Sequence, residues 1–143
     1  MPLFLTTLLL NVFAAISWGQ PFETYDLRVN GAVITAIPAD LRGLQRRDLV
    51  VISRVGTFPE EVRRVSVFWQ QEGGRFKPRP DLVWEMDPEA TVIDVGSLNS
   101  EQGHGSIVYL TGSAVRAYHL TGTAPPTPTT LLEMPTMTVS PEP

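Results

Sequence analysis

Two stretches of this chain are written to one plan, and that plan restricts the fold more than any other feature. Residues 40–54 read DLRGLQRRDLVVISR, a polar loop running into the apolar run Leu49-Val50-Val51-Ile52. Residues 97–110 read SLNSEQGHGSIVYL, a second polar loop running into Ile107-Val108-Tyr109-Leu110. Ser97 follows Asp40 by 57 positions and Ile107 follows Leu49 by 58, so the second loop is one residue longer. A strand-like segment precedes each loop, at 33–37 and at 90–95. A unit of strand, loop and buried strand recurring at a spacing near about 50 residues is the mark of a sheet-based repeat architecture.

The intervening segments continue the pattern. Residues 24–29 alternate Tyr25, Leu27 and Val29 with polar residues, the period of a half-buried strand. Asn30-Gly31 is a two-residue hairpin signal, and Pro38 is expected to end the strand that follows it. The run at 48–53 suits a strand covered on both faces. Residues 64–71 place Val65, Val67 and Trp69 on one face and Ser66, Phe68 and Gln70 on the other. Gly73-Gly74 turns the chain, and Pro78 and Pro80 keep residues 82–86 to an outer edge. In the second unit, strands are expected at 90–95, 106–111 and 114–120, with a turn at Thr111-Gly112-Ser113 and no fourth strand. Residues 121–143 are rich in Pro and Thr and read as a disordered tail or linker.

Composition narrows the function classes. Hydrophobic residues make up 43% and charged residues 18%, a globular balance. A formal net charge of −4 carries no footprint for nucleic acid or an anionic membrane. The chain has no cysteine, which excludes disulfide frameworks, cysteine-bound zinc and thiol nucleophiles. Residues 1–19, MPLFLTTLLLNVFAAISWG, form an uncharged apolar segment shorter than the ~20 residues of a membrane span. Ser17 and Gly19 are small residues at the −3 and −1 places of a cleavage site, so the segment is expected to be an export signal with a helical core. An uncleaved anchor and a buried helix are its alternatives. The expected location is secreted, periplasmic or cell-surface.

The loop-and-strand unit resembles the FG-GAP or VCBS-type repeat, the blade of integrin-like β-propellers. Asp40 and Leu41 match the start of the family loop. Gly43, Arg46, Asp48 and Leu49 also fall where family members carry such residues, and Arg75-Phe76 echoes the G-x-F that closes a blade. The resemblance implies an all-β fold of antiparallel, propeller-blade-like sheets: blade one at about 24–86 and a partial blade two at about 90–120, within a repeat region at 20–120. That is fewer than two full blades, between a signal helix and a disordered tail. It also implies that calcium is a family ligand of this loop. Here Arg42 and Leu44 stand where the second and third oxygen ligands belong, and calcium requires six to eight oxygens. The expectation is therefore no cofactor and no metal, with Asp40 and Asp48 bonding nearby backbone N–H groups.

Candidate chemistry is sparse. His104 sits in Gly103-His104-Gly105 and is expected to face water, and His119 to pack or line a rim. No nucleophile elbow, zincin motif or phosphate loop occurs. The acid pairs Glu60-Glu61 and Asp87/Glu89 fall in connections. Trp69, Trp84, Phe68 and Phe76 divide between core packing and a sugar-binding groove, and Arg42, Arg46, Arg47 and Arg54 read as a solvated rim. No catalytic, cofactor-binding or metal residue is assigned, and the ligand-binding residues are unknown. A blade hides its faces only against neighbouring blades. Fewer than two blades thus imply a longer propeller, self-association face to face, or a small sandwich. The expected function is a non-catalytic, exported repeat module for binding or assembly, with a protein or glycan ligand. The alternative is a fragment of, or accessory to, a carbohydrate-active propeller enzyme such as a polysaccharide lyase.

Overall fold

The computed structural model describes residues 23–98 and 104–135. The expected signal at 1–19 and the end of the expected tail, 136–143, lie outside the described residues. The chain forms two four-stranded antiparallel sheets, each a simple meander. Sheet A runs β1 (Ala32–Ala39), β2 (Asp48–Val55), β3 (Val62–Phe68) and β4 (Leu82–Glu85) in spatial order. Sheet B runs β5 (Ile93–Gly96), β6 (Ser106–Leu110), β7 (Ala114–His119) and β8 (Pro128–Glu133) in the same order. The one helical element among the described residues is a 3-10 turn at Glu72–Gly74. The all-β, antiparallel expectation therefore holds at the level of the sheets, and two sheets do not close a ring.

Strand pairing reproduces the internal repeat. Pro38 faces Leu49 in sheet A, and Val95 faces Ile107 in sheet B. The first members of these pairs lie 57 residues apart and the second members 58, the offsets read from the two loops. Each pair sits two residues before its loop, at Asp40 and Ser97. The second unit is more complete than expected. Residues 128–133, read as disordered tail, pair antiparallel with β7 as a fourth strand, so sheet B matches sheet A strand for strand. Pro128 opens an edge strand, where a missing N–H costs no ladder bond. Pro38 is accommodated in the same way: it lies inside edge strand β1, which continues to Ala39 rather than ending at the proline.

Residues 24–29 also depart from expectation. Tyr25, Leu27 and Val29 are half-buried and alternate with exposed residues, but the segment joins neither sheet. It is a strap, tied near its C-terminal end by Arg28 N–H to Pro78 O (2.7 Å) and, just beyond, by Ser53 Oγ–H to Asn30 O (2.7 Å). Tyr25 meets Phe76 edge-on at 6.1 Å.

Successive residues of a strand face opposite sides, so each sheet has two distinct faces. The face carrying Val50 and Ile52 is here the front of sheet A, and the face carrying Val108 and Leu110, 58 residues on, the front of sheet B. The core joins the front of one sheet to the back of the other. Val50, Ile52, Val65, Val67, Leu82 and Trp84 from the front of sheet A cluster with Ile107, Tyr109 and Tyr118 from the back of sheet B. Tyr109 stacks on Tyr118 at 5.0 Å, and Trp84 meets Tyr118 edge-on at 5.5 Å. A two-fold sandwich would pair equivalent faces. Front-to-back stacking is instead a heterologous contact.

Candidate functional site

The two sheets meet at their loop ends around Leu41, which is fully buried in the common core. Gly105 N–H donates to Leu41 O at 2.6 Å, and Leu120 N–H donates to Gly105 O at 3.1 Å. A Cβ on Gly105 would lie 2.7 Å from Leu41 Cα, so only glycine lets the loops approach this closely.

Above this junction the 40–48 loop is held by its own charges. Asp40 accepts from Leu44 N–H at 3.1 Å and Gln45 N–H at 2.7 Å. Gln45 adopts a positive φ of 55° to close the turn. Asp48 is fully buried and accepts from Arg42 Nη2 (2.7 Å), Arg42 Nε (3.2 Å) and Gln70 N–H (2.8 Å). Arg42 Nη2 also donates to Gln70 O at 2.8 Å, and its guanidinium lies over Trp69 at 4.9 Å, within cation–π range. Both aspartates thus bond backbone N–H groups, as the loop sequence implied. Arg42, expected on a solvated rim, instead turns inward as the crosslink of the loop. Arg46 and Arg54 remain nearer the surface, paired with Glu72 at 3.1 Å and Glu61 at 3.6 Å. Among the described residues no group of three or more His, Asp or Glu is placed to hold a metal ion.

Beside the loop lies a cleft of about 310 Å³ lined by Arg42, Trp69, His104, Leu120 and residues 121–123. Sheet A supplies the guanidinium and the indole, and sheet B supplies the imidazole and the threonine hydroxyls. His104 is exposed there, as expected from its glycine neighbours. Trp69 is half-buried against the core and lines this cleft. Trp84 and Phe68 are buried and are not available to a ligand from solution.

His119 Nδ1 lies 3.0 Å from Ser106 Oγ. That contact resembles a nucleophile and its base, but Ser106 is buried and no carboxylate among the described residues bonds His119. Among the described residues the pair has no orienting acid of the kind a triad uses, and the serine that would attack is buried. Ser106 is the counterpart of Asp48 at offset 58, and both residues tie the start of the second strand to the end of the third.

A second polar cluster borders the core. Asp87 accepts from Arg116 Nη1 at 2.9 Å and from the Tyr109 hydroxyl at 3.3 Å, and Asp87 N–H donates to the Tyr118 hydroxyl at 3.0 Å. Burial, then the adjacent Tyr118 and the Asp87 carboxylate, push the Tyr109 phenol well above its ordinary value, so it stays protonated. A phenol that is neutral at neutral pH closes the link between the sheets here. Neither the Arg42 crosslink nor the Asp87 cluster was identified from the sequence, because each joins residues with no periodic relation.

Comparisons with protein-family models, with curated proteins and with solved structures found no match to this chain.

Proposed function

We propose that this chain is a non-catalytic, exported repeat module of the FG-GAP or VCBS-like blade type, used for binding or assembly with a protein or glycan ligand. The observation carrying the binding half is the loop-end cleft. An aromatic face, a fixed guanidinium, an imidazole and the hydroxyls of Thr121 and Thr123 line one cleft where two repeat units meet. Such a set suits a saccharide ring: the indole face packs against its C–H groups while charged and hydroxyl groups bond its hydroxyls. Export rests on the apolar segment at 1–19 with small residues at Ser17 and Gly19.

A glycan array probed with the purified chain tests this reading. Binding that falls at least tenfold in His104→Ala, with the melting curve unchanged, is the expected outcome. His104 is exposed, so its removal leaves the core intact. Substitution of the core residue Trp84 would instead hollow the protein and could not separate binding from folding. Turnover of a polysaccharide by the purified chain would overturn the non-catalytic assignment.

A further inference from the structure

The Arg42 guanidinium is bound along one edge and open at Nη1. Asp48 accepts from Nε and Nη2, and Gln70 O accepts from Nη2 as well. An arginine carries five N–H donors in one rigid plane, so these three bonds leave the two N–H groups of Nη1. Among the described residues nothing accepts from Nη1, and the side chain lines the cleft with 28% of its surface exposed. The plane itself is held still by Asp48, by Gln70 O and by the Trp69 ring at 4.9 Å.

The remaining lining supplies no anion. None of the residues around the cleft is Asp or Glu. Asp48 is fully buried and lies on the opposite edge of the guanidinium. His104 and the hydroxyls of Thr121 and Thr123 can each donate as well as accept. Arg47, on the same loop, is exposed and forms no ion pair among the described residues.

We propose that the saccharide held in this cleft is acidic, its ring bearing a carboxylate that accepts from Arg42 Nη1. A carboxylate only accepts, so it fits a wall whose one fixed polar group only donates. In the free protein water serves Nη1, and a neutral sugar hydroxyl replaces that water with an equivalent acceptor. A carboxylate replaces it with a charged one, and such a bond is roughly twice as strong as its neutral counterpart. The donor is already in place, so binding does not have to order it. The net charge of −4 belongs to the chain as a whole, and salt screens exposed charges beyond ~8 Å, so it does not bar an anion here.

The acidic class rests on the saccharide reading of the cleft. Matched ligands test it on the unaltered chain by titration calorimetry: oligogalacturonate, oligomannuronate and a glucuronate-bearing xylo-oligosaccharide, each as free acid and as methyl ester. The ester keeps the ring and removes the charge. The expected result is at least tenfold tighter binding of the acid in one or more pairs, with the preference shrinking as salt is raised. Arg42→Lys keeps a positive charge but has no Nη1, and should lose most of that preference. Its melting curve shows whether it folds, and the matched ligands decide the question without it. Acid and ester bound equally in every pair, or neutral glycans bound alone, would overturn the acidic class and leave the saccharide reading intact. A folded Arg42→Lys chain that kept the full preference would overturn it too, as would a sulfated galactan that matched the best acid. A chain that bound no saccharide of any kind would overturn both readings.

Discussion

The fronts of sheets A and B are one surface built twice and used in two ways. In sheet A, Ile52 and Val65 sit under the neighbouring sheet and are inaccessible to water. In sheet B, their counterparts Leu110 and Val115 stay partly wet. The second row changes more: Ile37, Val50, Val67 and Leu82 in sheet A become Asp94, Val108, Ala117 and Thr129 in sheet B. Sheet A thus carries large side chains in both rows, and sheet B keeps one fully apolar row and lightens the other. The contrast shows that matching backbone topology sets where a face lies without fixing which side chains fill it or how far they are buried.

Substitution at the paired positions tests that contrast directly. Ile52→Ala should cost about 3–4 kcal/mol, as a fully buried branched side chain leaves a cavity. Leu110→Ala should cost about 1 kcal/mol, since part of that side chain is already in water. Urea unfolding of the two variants measures the gap. Equal losses would show that the front of sheet B is as thoroughly covered in solution as that of sheet A.

The next pair is polar. Asp48→Ala removes a buried carboxylate that serves Arg42 and Gln70 at once, and should cost about 3 kcal/mol. The value falls at the low end for a broken buried pair because the Arg42 side chain is 28% exposed and can partly rehydrate. Ser106→Ala at the matching position removes one neutral contact to His119 and should cost about 1 kcal/mol. Thermal melts that ranked these two in the opposite order would contradict the crosslinking role given to Arg42.

The smallest effect concerns Tyr109, whose counterpart in sheet A is Val51. A phenol ordinarily titrates near about pH 10. Burial raises Tyr109 above that value, so its contribution to stability is complete below about pH 10 and is lost as pH climbs toward the raised value. Tyr109→Phe should cost about 1 kcal/mol at neutral pH through the hydrogen bond to Asp87, and should flatten the decline in melting temperature between about pH 10 and 11. An unchanged alkaline slope would place that sensitivity elsewhere in the molecule.

Much of the fold was legible because buried strands announce themselves. The apolar run at 49–52 became β2, the alternation at 64–68 became β3, and the 57- and 58-residue offsets became matching registers. Strand β8 was not legible: all six of its residues are exposed, so no inward-facing set marks it, and its prolines and threonines read as tail. The strap was misread for the opposite reason, since Tyr25, Leu27 and Val29 alternate as a strand does while bonding to no ladder. The cleft was half legible. His104 and Trp69 were singled out separately, but only the stacking of the sheets brings them to one cavity.

The guanidinium of Arg42 has one more consequence. In loops of the kind this one resembles, closure can depend on an ion drawn from the surroundings, and so on how much of it the surroundings hold. Here the positive charge is carried by the polypeptide, tied to Asp48 and resting on Trp69. A tethered cation is neither diluted away nor stripped by a chelator. The rim of the cleft is therefore expected to keep one shape whether calcium is added or chelated, and coincident melting curves in the two media would show it.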